Sequence, residues 1–390
     1  MSGMTVWYAR SRARTRVEIA DGSLDRLGRF LRGVSGARAA ALVSDERVAA
    51  LYGERSLRSL SRAGVRAALI TVPHGERSKR AATLERLWQA FDALRLGRRD
   101  AVIALGGGVV GDVAGFAAAT WLRGVPWIVV PTTVIAQVDS ALGGKTGIDL
   151  PSAKNLVGAF HQPLGLLVDP LLLQTLPVRE RRAGLAEVVK MGMACDAALF
   201  GWVERHADGL AAGEVAALSG AVARALALKA RVVQADEHER EGGVRTSLNY
   251  GHTLGHALEA AHGYRGLKHG EAVALGMRVA ARLSERAAKL APEGRVRLER
   301  VLDRLALPRS LNGTRLADLI RALKSDKKRA LVRRAVTRKR GGRKGGDDEW
   351  NAIAREVRWV LTPRVGHASV PRLVSGRLLR AVLIEAGARP

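Results

Sequence analysis

The chain has 390 residues, 47% of them hydrophobic, which is enough for two domains with real cores and excludes a disordered chain. No apolar run approaches the roughly 20 residues of a membrane span. The basic stretch 1–16 leads into no apolar core of a secretory signal, and the single cysteine, Cys195, excludes an internal disulfide and fits a reducing cytoplasm. A formal net charge of +27 accompanies only 4% aromatic residues. Stacking platforms for single-stranded nucleic acid are therefore scarce, and the charge reads as arginine enrichment whose field attracts small phosphorylated anions.

The first half of the chain alternates strand and helix. Residues 39–43 (AAALV) read as a buried strand, 46–63 as a helix and 65–72 (VRAALITV) as a second strand. Helical spacing follows over 83–94, then strands over 100–105 (DAVIAL) and 126–130 (PWIVV). This rhythm predicts a doubly wound parallel sheet, whose ligands bind at the carboxyl ends of the strands. From about Leu176 the pattern turns helical, over 180–193, 215–233, 252–261 and 271–290. The expected organisation is an α/β dinucleotide-binding domain over 1–176 and an all-α domain over 177–390. Residues 329–346 (RALVRRAVTRKRGGRKGG) form a basic, glycine-containing stretch that reads as a surface insertion.

Four groups of residues carry chemistry. Gly106, Gly107, Gly108, Val109, Val110, Gly111 and Asp112 follow a strand and open a helix. They satisfy G-x-G-x-x-G in the context that lets backbone approach a pyrophosphate at a helix N-terminus. The acidic ribose partner expected about 20 residues further on is replaced by VVPTT; Asp45, ending an earlier strand, is the better candidate. Second, residues 131–154 gather Thr132, Thr133, Asp139, Ser140, Gly143, Gly144, Lys145 and Lys154, with Asn155 next: hydroxyls, glycines and ammonium groups suited to phosphate. Third, Glu187, His252, His256 and His269 offer the three oxygen or nitrogen ligands of a catalytic zinc with an open position. By spacing alone His252 and His256, four apart on one helix face, are the natural pair. Lys190, a turn from Glu187, suits an anion beside the metal, and His262 reads as a surface residue. Fourth, Lys229 and Arg245 bracket DEHEREGG and can hold a carboxylate, or be ordinary surface charges; spacing does not decide. Together these groups imply an alcohol that is metal-bound, oxidised by NAD, and joined to a phosphate and a carboxylate.

GGGVVGDVAGFAAATWLRGV, VPTTVIAQVDSALGGKTGIDLPSAKNLVGAFHQP, GLAEVVKMGM, LNYGHTLGHALE, HGEAVALGM, SDKK and VLTPRVGHA resemble the 3-dehydroquinate synthases over roughly residues 45–368. The resemblance implies zinc, replaceable by cobalt, on Glu187, His252 and His269, with His256 moved to substrate contact. It implies NAD on Asp45, Glu76, Lys79, the Gly106–Asp112 loop, Thr132, Thr133, Asp139, Ser140, Lys145 and Lys154. Substrate, a phosphorylated sugar acid, would meet Asp139, Lys145, Asn155, Lys190, Lys229, Arg245, Asn249, His256, His269 and Lys327. Arg123, in WLRGV, would reach a second copy's site, so a homodimer is implied. The implied reaction is transient oxidation by NAD, phosphate elimination, re-reduction and intramolecular aldol closure. The chain departs from the family pattern at Ala153, in a DEHEREGG segment about two residues longer than usual, and in the long stretch after Lys328. The alternatives are another NAD- and zinc-using sugar phosphate cyclase, or a metal-dependent alcohol dehydrogenase of the glycerol dehydrogenase type.

Overall fold

The computed structural model describes residues 2–151, 153–240, 243–330, 346–369 and 371–390, with the side chains of 153, 325–330, 346–349 and 351 outside the description. The chain opens with strands β1 (Ser2–Tyr8) and β2 (Ala13–Ile19), helix α1 (Leu27–Ser35), β3 (Ala39–Asp45), α2 (Glu46–Val48) and α3 (Glu54–Arg62). It continues through β4 (Arg66–Val72), α4 (Ala81–Ala93), β5 (Ala101–Gly106), α5 (Gly108–Thr120), β6 (Trp127–Pro131), the hairpin β7 (Lys145–Leu150) and β8 (Ala153–Phe160), and β9 (Gly165–Val168). Helices α6 (Val178–Cys195), α7 (Ala197–Ala212), α8 (Val215–Ala235), α9 (His252–Ala261), α10 (His269–Ala287), α11 (Pro292–Arg304), α12 (Leu316–Ala330) and α13 (Gly346–Glu356) follow. The short strands β10 (Arg358–Trp359) and β11 (Arg372–Leu373) and helix α14 (Gly376–Glu385) end the chain.

These elements form two units. The first comprises Met1–Pro177 and Val215–His238, the second Val178–Glu214 and Glu239–Pro390. The single cut near 177 read from the sequence does not include the return of α8 to the first unit. The basic stretch 329–346 lies mostly outside the described residues, as does the side chain of Lys327 on α12. Among the described residues no helix is long and apolar enough to cross a membrane.

The first unit is built on a seven-stranded sheet in the order β1-β2-β9-β6-β5-β3-β4, parallel except for the β1–β2 hairpin. β3, β5 and β6 are buried along their whole lengths, as parallel strands covered on both faces must be. β3 leads outward to β4, whereas β5 lies on the other side of β3 and the order then runs to β6 and β9. The direction of winding therefore reverses between β3 and β5, and their carboxyl ends flank the crevice where such sheets bind ligands. Two parts differ from the sequence expectation. Residues 46–63 are not one regular helix, because a π-turn at Ala49–Gly53 separates α2 from α3. The phosphate-suited stretch 131–154, for which no strand was expected, contains β7 and the start of β8, which pair as an antiparallel hairpin and form a separate two-stranded sheet.

In the second unit, α6 is the central element: every residue from Ala183 to Ala194 is buried. A helix covered all round has weak amphipathic period, and here its neighbours are α7, α10 and α11. Two glycines set how closely the helices meet. A Cβ on Gly270 would lie 1.8 Å from the Ala183 carbonyl oxygen on α6. A Cβ on Gly276 would lie 1.9 Å from the carbonyl oxygen of Gly251, at the start of α9. These distances fall far inside van der Waals contact, so α10 approaches both partners by backbone.

Gly276→Ala is expected to force α9 and α10 apart and to destabilise the protein by roughly 1–3 kcal/mol, the usual cost of overpacking. Thermal or urea unfolding measures this; an unchanged midpoint would show that the contact relaxes freely.

Candidate active site

The first unit builds an anion cradle at the carboxyl ends of β3, β5 and β6. β5 stops at Gly106, Gly107 is extended, and α5 starts at Gly108 with no side chain capping it. A Cβ on Gly107 would come within 3.1 Å of Thr133 Cγ2, and one on Gly108 within 3.1 Å of Ser140 Oγ. Gly107, Gly108, Gly111, Asp112, Ser140 and Lys145 line a cleft over this helix start. Its unpaired amide groups and dipole favour a phosphate-sized anion. Val110 packs under Gly106, and Val109 faces the half-exposed side of the same turn. Thr133 Oγ1 accepts from the Ala136 amide at 3.2 Å, while the buried Thr132 hydroxyl has no partner among the described residues.

Around the cradle the charged residues are already engaged. Asp45 ends β3, accepts from the amides of Arg47 and Val48 at 3.0 and 3.3 Å, and lies 3.0 Å from His74 Nδ1. The buried Lys79 ammonium donates to Asp112 at 2.8 Å and to the Asn155 side chain, with Asp149 at 3.8 Å and Glu76 at 3.9 Å. Burial opposes the charge on Lys79, but Asp112, Glu76 and Asp149 outweigh it and hold its pKa above the ordinary value. On Asp112 the balance is reversed: burial pushes the carboxyl up to about 6 despite Lys79. Its side chain keeps 25% surface exposure, so the crowding comes from protein packed around the group rather than from complete enclosure. Lys154 lies 3.3 Å from Glu76. Lys229, from α8, forms an ion pair with Asp139. Asn155 sits at φ 56° with its amide donating to Asp149 at 2.7 Å, and the exposed Arg123 sits at φ 67°. Asp149 was not singled out in the sequence, since an acidic residue in a hairpin has no distinguishing pattern.

The second unit gathers a metal-ligating cluster. Glu187 on α6, His252 on α9 and His269 on α10 bring one ligand atom each to within 4.8 Å of one another. Glu187 Oε1 lies 3.8 Å from His252 Nε2 and 3.5 Å from His269 Nε2. Lys190 Nζ is 2.5 Å from Glu187 Oε2, and both side chains are 1% exposed. Although Lys190 and two imidazoles lie against it, neither carboxylate oxygen accepts a well-aligned hydrogen bond from the described residues. A buried carboxylate with its lone pairs left over, between two imidazole nitrogens, matches the donor set of a catalytic divalent ion. The protonation states agree. Burial works against ionised Glu187, but Lys190 and His269 hold its pKa well below the usual range. Burial, with Lys190 beside it, holds His252 well below its ordinary value and so neutral. Burial also opposes charge on His269, but Glu187 and Glu259 together lift it to about 10, so an arriving cation must displace a proton there.

The i,i+4 spacing of His252 and His256 brings their rings to 5.3 Å, edge to face, yet the cluster around Glu187 takes its third member from α10. His256 is exposed on α9. Arg245 is buried on the 3₁₀ turn Val244–Asn249, and Asn249 Nδ2 donates to Glu239 at 3.1 Å. His262, exposed, lies 3.1 Å from the Thr314 hydroxyl. Glu259 is the residue that spacing could have revealed, because it follows His256 by three on one helix face.

Two family models cover most of the chain: 3-dehydroquinate synthase N-terminal over residues 69–183 and 3-dehydroquinate synthase C-terminal over 184–329. A curated 3-dehydroquinate synthase of Citrifermentans bemidjiense is 47% identical, covering 80% of this chain and 86% of its own. Another, of Gloeobacter violaceus, is 47% identical over 94% of each chain. Among solved structures, ValA, the 2-epi-5-epi-valiolone synthase of Streptomyces hygroscopicus with NAD+ and Zn2+ bound, is 27% identical, with a TM-score of 0.80 over 95% of this chain and 96% of its own. A 2-deoxy-scyllo-inosose synthase, 24% identical, shares the fold with a TM-score of 0.83 over 99% and 100% of the two chains. With both family models and near-full-length relatives in agreement, the chain belongs to the 3-dehydroquinate synthase family.

Proposed function

We propose that this chain converts 3-deoxy-D-arabino-heptulosonate 7-phosphate to 3-dehydroquinate and inorganic phosphate, acting as a carbon–oxygen lyase with NAD and a divalent ion, zinc or cobalt. The observation that carries this reading is the buried Glu187–His252–His269 cluster in a chain 47% identical to a 3-dehydroquinate synthase along 94% of its length. The dehydroquinate relatives match at higher identity than the valiolone synthase does, 47% against 27%, which favours this substrate over that of another cyclase.

NAD, when bound, supplies a reversible hydride acceptor, so that an alcohol is oxidised and later restored. A divalent ion held by Glu187, His252 and His269 supplies Lewis acidity toward the substrate's hydroxyls. The chain's own groups bind, orient and neutralise. The α5 start and its glycines take the cofactor's pyrophosphate, with Asp45, Glu76, Lys79, Asp112, Thr132, Thr133, Ser140 and Lys154 around it. The Lys79–Asp112–Asp149 network keeps this surface in one conformation, because each buried charge is already matched before a ligand arrives. Expelling phosphate develops negative charge, and the ammonium groups of Lys145, Lys190 and Lys229 offset it; Lys327, which the family pattern adds to them, has its side chain outside the described residues. Asp139 holds Lys229 in place for that task. Arg245 matches a carboxylate with its planar fork, and Asn155, Asn249 and His256 supply hydrogen bonds that orient the hydroxyls. Arg123, exposed on a left-handed turn, serves the site of a second copy; sedimentation of the chain should give a dimer, and a monomer at working concentration counts against that role.

With zinc restored after chelation and NAD well below substrate, phosphate and dehydroquinate should form in equal amounts over many turnovers per NAD. Stoichiometric accumulation of NADH would identify a dehydrogenase instead. His252→Ala should lose the metal, whereas His256→Ala should retain it and lose turnover by about 10-fold or more. Elemental analysis beside kinetics separates the two; equal metal loss in both variants would return the ligand role to the helical pair.

A further inference from the structure

The metal-ligating cluster has an outer layer that the proposed reaction does not use. His269 presents its two ring nitrogens to two different carboxylates: Nε2 lies 3.5 Å from Glu187 Oε1 and Nδ1 lies 3.1 Å from Glu259 Oε2. Glu259 stands on α9, seven residues after His252, and its side chain is 13% exposed. α9 therefore contributes one histidine to the cluster and, two turns on, a carboxylate facing the histidine that α10 contributes.

We propose that Glu259 is a positioning residue for His269, accepting its Nδ1–H and so fixing the tautomer and ring plane that aim Nε2 at the space beside Glu187 and His252. A neutral imidazole carries one N–H, and an ionised carboxylate can only accept. Once an arriving cation has displaced the Nε2 proton, the one that remains is therefore held on Nδ1, and the Nε2 lone pair faces the metal. Such an outer carboxylate also makes the coordinating nitrogen more basic. The three-helix packing orients the His269 backbone, but the ring retains rotation about its own bonds, and the hydrogen bond at Nδ1 removes it.

A second arrangement uses the same atoms. His256, Glu259 and His269 bring ligand atoms within 4.8 Å of one another and could hold an ion of their own. With the first site filled, that ion would require His269 to coordinate through both nitrogens and lose its last N–H, a state far less accessible than the singly protonated ring. The 3.1 Å separation is that of a hydrogen bond, and His256 is exposed, so the orienting role is the one the geometry supports.

The inference rests on the Glu187–His252–His269 metal reading, and Co2+ binding tests both separately. Full-length wild type, Glu259→Ala and Glu259→Gln are stripped and titrated with Co2+ against a chelator, while ion stoichiometry and the visible absorption of bound Co2+ are recorded. Wild type should bind one ion per chain. Glu259→Ala should bind about 10- to 100-fold more weakly with an altered spectrum, and Glu259→Gln, whose amide oxygen accepts the same hydrogen bond, should fall between. Equal affinities and spectra in all three overturn the positioning role and leave the metal reading standing. Two ions in wild type and one in Glu259→Ala overturn it in favour of a second site. Wild type that binds no Co2+ sinks the metal reading and this inference together. Should Glu259→Ala fail to fold, the Gln variant decides: a several-fold loss supports the role, and no loss overturns it.

Discussion

An ionised carboxylate buried at Glu187 is the constraint on which the second unit depends. Taking such a charge out of water costs several kcal/mol even after the protein relaxes, and no residue of α6 other than Lys190 lies beside it to offset that cost. The remaining partners come from α9 and α10, so those helices must approach α6 closely enough for imidazole nitrogens to stand within 3.8 Å of the carboxylate. Backbone contact at Gly270 and Gly276 allows that approach. Packing and chemistry are thus one requirement: a side chain at either glycine would separate the helices that carry the ligands.

The first unit solves a different electrostatic problem. It must leave a helix start open to an anion while keeping nearby acidic groups from repelling it. Asp112 stands in the first turns of α5, where its negative charge would face the cleft, and Lys79 is placed against it. Asp139 is neutralised in the same way by Lys229. Lys145 stands on the cleft wall, where the glycine amides and the helix dipole add positive potential.

Glu259 extends the same logic outward. A ligand histidine is useful only when its ring is held, and the ring of His269 is held by a carboxylate from another helix. The order of causes runs from glycine contacts, which set helix separation, to the carboxylates that divide between the two nitrogens of one imidazole.

By itself the sequence determined the parallel sheet, the glycine turn after β5 and the residue types of the cluster. Each of these is local: a buried strand is an apolar run, a helix has a period of 3.6 residues, and a phosphate turn is a fixed spacing of glycines. The β1–β2 hairpin was missed because Arg14, Arg16 and Glu18 alternate with its buried positions and make the stretch look merely charged. The β7–β8 hairpin has no clear alternation to reveal it, because Leu156, Val157 and Phe160 of its second strand are exposed rather than buried on one face. The reach of α8 back into the first unit was invisible too, since a helical period says which face is buried but not against what. Spacing alone pairs His252 with His256 and the family resemblance points instead to His269; the tertiary structure shows how Glu187, His252 and His269 come to meet. Spacing along one helix defines a face, whereas distance between helices is set by backbone contacts such as those at Gly270 and Gly276, which leave no period in the sequence.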